Sequence, residues 1–148
     1  MSAPIQTDHF TSALYDLLDE TFDNVHGYFL DKGTSLFETL ATISAEAASS
    51  IPVGGKCATL AAQVKHVVFY LDVLERNVRT GTFEPADWGE IWRTVREVTP
   101  EEWAALKQRL QQTYRRVFGV LQSLDSWDDE DSIGGALGIS DNASLTSL

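Results

Sequence analysis

The feature that most constrains the fold is a run of apolar residues near the C-terminal end, which recur at alternating spacings of three and four. They are Trp103, Leu106, Leu110, Tyr114, Val117, Leu121 and Leu124. This spacing is typical of the core-facing seam of a helix in a bundle. Thr99, Pro100 and Glu102 come just before it, at the N-cap, first and third positions that favour a helix start. The pattern predicts a long amphipathic helix from Pro100 onward.

Two earlier segments have the same helical periodicity. Residues 7–22 carry an apolar stripe made of Phe10, Leu14, Leu17, Leu18 and Phe22. Residues 59–77 carry a second stripe made of Leu60, Val64, Val67, Leu71 and Leu74. In this second segment Lys65, Asp72 and Arg76 are predicted to face away from the core. The sequence therefore predicts two further long helices.

The segments between these helices differ in length and composition. Ser35 and Glu38 have the spacing of a capping box, which predicts a short helix that ends before Pro52. Residues 80–98 contain Gly81, Pro85 and Gly89 together with two tryptophans, and they favour an ordered connection. A connection of this length can carry the chain back along a bundle. The helices before and after it can then run parallel.

Composition limits the classes of partner. The chain has 148 residues, which suits one domain, and its formal net charge of -11 repels nucleic-acid backbones. No apolar run reaches the roughly 20 residues that span a bilayer, so we expect no membrane partner. Cys57 is the only cysteine, and residues 1–7 lack the pattern of a signal peptide. These features favour a cytoplasmic protein. The helical periodicity of the three long segments predicts an all-α fold.

The chain after residue 124 departs from the pattern of the long helices. An acidic stretch, residues 125–131, is followed by apolar residues interrupted by Gly134, Gly135 and Gly138. Each glycine weakens a helix by about 0.8–1 kcal/mol relative to alanine. We therefore predict a shortened fourth helix.

Most of the His, Cys and Glu side chains that could react or bind a metal have no second such residue at the spacing of a known motif. No phosphate-binding glycine loop, nucleophile elbow or zinc-spaced Cys or His pair is present. Glu20 and Glu38 are interpreted as solvated carboxylates, and His9 and His26 as surface residues. Cys57 has only its nearness to a helix N-terminus in favour of a nucleophilic role.

His66 is the strongest single candidate. At 100° per residue it lies roughly 80° from the centre of its helix stripe, at the border of the core. Taken alone, a histidine at such a position is interpreted as a structural side chain. The alternative interpretation, a metal ligand, comes from a resemblance.

Residues 50–66, SIPVGGKCATLAAQVKH, resemble the Pro-x-Gly-x…His signature of the DinB/YfiT-like superfamily. Residues 17–23, 87–88 and 99–103 also match, so the resemblance covers nearly the whole chain. It implies a single up-down-down-up four-helix bundle, often a homodimer, with nickel or zinc held by three histidines. His66 corresponds to one of these ligands. Relatives include thiol-dependent transferases and metal-dependent hydrolases.

The chain departs from the family where the other two ligands are expected. The family carries His-x-x-x-His on helix four, whereas residues 140–148 are SDNASLTSL, with Asn142 and Thr146 at the aligned positions. Neither side chain replaces a neutral imidazole, and Asp141 would add only one oxygen ligand. The sequence therefore predicts an incomplete metal site with weak or absent metal. The alternative is a non-catalytic, small-molecule-binding or stress-related scaffold.

Overall fold

A computed structural model describes residues 6–51, 54–55, 57–82, 86–87 and 89–124. Within these ranges every regular element is a helix, which confirms the all-α class. The helices are α1 (Thr7–Phe22), α2 (Leu36–Ala41), α3 (Ala45–Ser49), α4 (Leu60–Thr80), α5 (Glu90–Thr94) and α6 (Pro100–Gln122). The predicted fourth bundle helix, with Asp141, Asn142 and Thr146, lies outside the described residues.

Local capping explains where the long helices begin and end. Thr99 and Glu102 form the predicted capping box at the start of α6, with Pro100 in the first turn. Thr59 caps α4 through its side chain, which accepts the backbone N–H of Ala62. Gly81 ends α4 with a φ of 65°, a left-handed conformation that glycine adopts at little cost. The bounds of α1 agree with the predicted residues 7–22.

The core lies where α6 packs against α4 and the short helices. Leu110 has no exposed surface and Trp103 is 2% exposed. The Trp103 indole Nε1 donates a hydrogen bond to the Ile43 carbonyl at 2.8 Å, which satisfies its polar atom inside the core. The predicted stripe of α6 is therefore confirmed at its centre.

Polar side-chain contacts show that α4 and α6 run in the same direction. Thr113 contacts Asp72, and three residues further along both helices Arg116 contacts Glu75. Arg109 and Arg116 both donate to Asp72 at 2.9 Å. The prediction that Asp72 faces away from the core was therefore wrong, because two arginines of α6 hold it at the seam between the helices.

Aromatic contacts show that α1 runs opposite to α6. Tyr15 lies against Phe118, and its hydroxyl donates to the Leu121 carbonyl at 3.0 Å. Seven residues further along α1, Phe22 stacks on Tyr114, with ring centroids 4.4 Å apart. Tyr114 lies four residues before Phe118 on α6. Moving forward along α1 thus means moving backward along α6.

The apolar stripe predicted for α1 needs correction. Phe10 and Leu17 are 51% and 47% exposed, because the face of α1 that packs is centred on Tyr15, Leu18 and Phe22. At 100° per residue, Phe10 and Leu17 lie roughly 120–140° away from Phe22.

The single short helix predicted before Pro52 is two helices, α2 and α3. The capping box of Ser35 and Glu38 starts α2 as predicted. Ser44 then accepts the backbone N–H of Ala47 and begins α3. A serine that can cap a new helix thereby competes with continuation of the old one.

Candidate functional site

His66 lies on α4 beside two aromatic rings. Its imidazole is half-buried, with the ring centroid 4.7 Å from that of Trp92 on α5 and 6.1 Å from that of Tyr70. Trp92 is 38% exposed, so it forms an outer wall over the histidine. The short helix α5 therefore sets the surroundings of His66.

One nitrogen of His66 has no hydrogen-bond partner. The Nδ1 atom is buried and unpaired. A buried polar atom left unpaired costs about 1–3 kcal/mol, so such an atom needs an explanation. A bound ligand that pairs with Nδ1 would remove this cost.

Asn77 is the second described residue with an unpaired buried atom, its Oδ1, and it is 2% exposed. Eleven residues separate it from His66 on α4, which corresponds to nearly the same helix face. At 1.5 Å per residue the two positions are roughly 16 Å apart along the axis. One small ligand does not reach both, so Asn77 is not part of the same site.

The described residues supply too few donors for the metal that the resemblance implies. Among them, no group of three His, Cys, Asp or Glu side chains has a geometry that could hold a metal ion. A catalytic zinc site needs three protein ligands, and His66 is one. The described part of the chain therefore does not by itself fit a resident three-ligand metal.

The other candidate side chains lie at the surface. His9 and Cys57 are exposed. His26 is also exposed, and its Nε2 lies 2.7 Å from Asp19. Glu38 is exposed and completes the capping box of α2.

The interpretation of Glu20 as a solvated carboxylate was wrong. The residue is fully buried, and its two oxygens accept four backbone N–H groups of the loop that follows α1. Oε1 accepts from Phe29 at 2.8 Å and from Leu30 at 2.7 Å. Oε2 accepts from His26 at 3.2 Å and from Tyr28 at 3.0 Å. Glu20 therefore anchors the loop to the end of α1.

These contacts determine the charge of Glu20. Burial on its own would raise the pKa of the carboxyl, but the N–H groups of Phe29, Leu30, Tyr28 and His26 outweigh it. The pKa of Glu20 falls from 4.5 to about 2. Glu20 is thus ionised near neutral pH and serves as an acceptor rather than as a proton donor.

A cleft of about 350 Å³ lies between α4, α5 and α6. Its apolar floor includes Val68, Ile91 and Leu106, and charged side chains stand around it. Neither His66 nor Trp92 is among the residues that line it. Sequence reasoning missed the cleft because residues from three helices form it.

Comparison with known proteins gave no relative: the chain matches no protein-family model, no curated protein and no solved structure. The DinB-like resemblance therefore stays a prediction. No helix in the described part of the chain is long and apolar enough to cross a membrane.

Proposed function

We propose that this chain is a DinB-like helical-bundle protein whose three-histidine metal site is incomplete, with His66 as the ligand that remains. The observation that carries the proposal is the buried, unpaired Nδ1 of His66 on the second long helix. The helix directions support it too. Relative to α1, both α4 and α6 run down, which is the order expected for the first three helices of an up-down-down-up bundle.

The donor count decides what chemistry the proposal includes. In intact relatives, nickel or zinc would act as a Lewis acid or activate water or a thiol. A single imidazole does not hold either ion in the geometry that this chemistry needs. We therefore assign no metal-dependent step to the described site, where the His66 ring packs against Trp92 and Tyr70.

Metal content tests the proposal directly. Protein purified without a metal-affinity column should contain well under one equivalent of zinc or nickel by elemental analysis. The His66→Ala variant should contain no less, because one ligand does not retain the ion. One full equivalent in the unaltered protein, lost in His66→Ala, would contradict the proposal.

The second candidate function is a non-catalytic scaffold that binds a small molecule. The observation that favours it is the cleft of about 350 Å³ between α4, α5 and α6. It combines an apolar floor with four charged side chains, Lys65, Asp72, Glu90 and Arg109, that could orient a ligand. This function requires no metal, and it is compatible with an incomplete site at His66.

We also propose that the chain forms a homodimer. Large apolar side chains remain strongly exposed: Tyr28 66%, Phe29 51% and Ile51 60%. A second copy would cover part of this surface. Light scattering at micromolar concentration should give twice the chain mass of 16.4 kDa. The mass of a single chain would contradict the dimer.

A further inference from the structure

The cleft between α4, α5 and α6 combines an apolar floor with charges of both signs. Val68 and Ile91 on the floor are each 5% exposed, and Leu106 is half-buried. Lys65 and Glu90 are exposed charged side chains that line the same cleft. A ligand placed here would contact hydrocarbon below and charged groups at the rim.

The acidic residue that α4 contributes to the cleft, Asp72, already has two counter-ions on α6. Asp72 accepts from Arg109 and from Arg116, each at 2.9 Å, and it also lies 3.4 Å from the Thr113 hydroxyl. Arg109 uses one Nη2 for this contact, and its side chain is 61% exposed. The guanidinium therefore keeps N–H donors for an added carboxylate.

Two rim charges have no counter-ion among the described residues. None of the ion pairs between described residues includes Lys65 on α4 or Glu90 at the start of α5. The chain has a formal net charge of -11, which repels anions. In this cleft, however, Lys65 and Arg109 offer two cations to a carboxylate. Glu90 supplies the complementary acceptor for an ammonium group.

We propose that this cleft binds a small zwitterion of the amino-acid class with an apolar side chain. The carboxylate pairs with Arg109 and Lys65, the ammonium group pairs with Glu90, and the side chain lies on Val68, Ile91 and Leu106. A ligand of this kind gives both Lys65 and Glu90 a counter-charge. The cleft volume is within the range of small-molecule sites. The inference deepens the scaffold candidate and rests on that proposed function.

The ligand-side experiment uses the unaltered full chain and three probes. L-Phenylalanine carries both charges, 3-phenylpropionate lacks the ammonium group, and phenethylamine lacks the carboxylate. Titrations followed by ¹H–¹⁵N NMR should move the amide signals of residues 65–72, 90–94 and 106–109. Phenylalanine should bind about three- to five-fold more tightly than 3-phenylpropionate, the upper part of the range expected for one solvent-exposed ion pair, and more tightly still than phenethylamine, which lacks two ion pairs. Equal affinity for all three probes would overturn the charge assignment.

Variants assign each charge to a side chain. Glu90→Gln should weaken phenylalanine binding about three- to five-fold and leave 3-phenylpropionate binding unchanged. Lys65→Gln should weaken both carboxylate probes and leave phenethylamine unchanged. The matched controls are Glu101→Gln, another glutamate in the first turn of a helix, and Lys32→Gln on an exposed loop. Both controls should bind phenylalanine as the unaltered protein does.

Several outcomes would overturn the proposal. One is the absence of shifts with phenylalanine at millimolar concentration, and another is a set of shifts that maps away from the cleft. A third is an effect of the controls equal to that of the rim variants. Because His66 does not line the cleft, His66→Ala should leave phenylalanine binding unchanged. Failure of phenylalanine to bind in the cleft therefore leaves the metal proposal intact. A full metal site at His66 would likewise leave the zwitterion proposal intact.

Discussion

Replacing Glu20 with alanine should lower the Tm by about 5–10 °C, because the backbone N–H groups of His26, Tyr28, Phe29 and Leu30 lose their acceptor. The loop that follows α1 would also lose its anchor. Differential scanning calorimetry at neutral pH measures the change. Glu20→Gln should also lower the Tm, since its amide nitrogen would face N–H donors rather than accept from them.

The control for this prediction is Asp16→Asn. Asp16 is an exposed carboxylate on the same helix, so its replacement should change the Tm by less than about 2 °C. A Tm of Glu20→Ala that matches this control would show that the four contacts contribute nothing to stability.

The same contacts set a pH dependence. The pKa of Glu20 is lower in the folded chain, at about 2, than its ordinary value of 4.5. The stabilisation is therefore present above pH 4.5 and is lost as the pH falls from there through about 2. Acid titrations of stability should show a shallower loss over this window for Glu20→Gln than for the unaltered protein.

Replacing Leu110 with alanine should reduce the free energy of unfolding by about 2–5 kcal/mol, because the side chain is fully buried at the centre of α6. The missing atoms would leave a cavity between α6 and the helices that it packs against. Urea unfolding followed by far-UV circular dichroism measures the difference.

Leu17→Ala is the matched control, with the same change of side chain on the exposed face of α1. Leu17 is 47% exposed, so the expected loss is about 0.5 kcal/mol or less. Equal losses for the two variants would mean that the stripe of α6 is not the core of the folded chain.

The parts of the fold that could be predicted from sequence are those fixed by neighbouring residues. Thr99 and Ser35 each meet a glutamate three positions later, and both capping boxes form as predicted. The apolar period of α6 placed Leu110 and Tyr114 in the core for the same reason. Caps and periodicity need only a few adjacent residues, so they are visible in the chain itself.

Three of the errors involve contacts with a later loop or with other helices. Glu20 has no sequence neighbour that marks it as buried, because its partners are backbone N–H groups of a loop six to ten residues later. Asp72 is held by Arg109 and Arg116 on another long helix. The cleft likewise combines side chains from three helices. Periodicity describes one helix at a time, so it does not show such groupings.

The most direct test of the central claim, an incomplete metal site at His66, is calorimetric titration of the metal-free full chain with zinc and with nickel. We predict no tight, stoichiometric binding of either ion, and the same weak heat for His66→Ala. His9→Ala serves as a control for adventitious binding by an exposed histidine. Binding of one equivalent with a sub-micromolar Kd, abolished by His66→Ala and kept by His9→Ala, would contradict the claim.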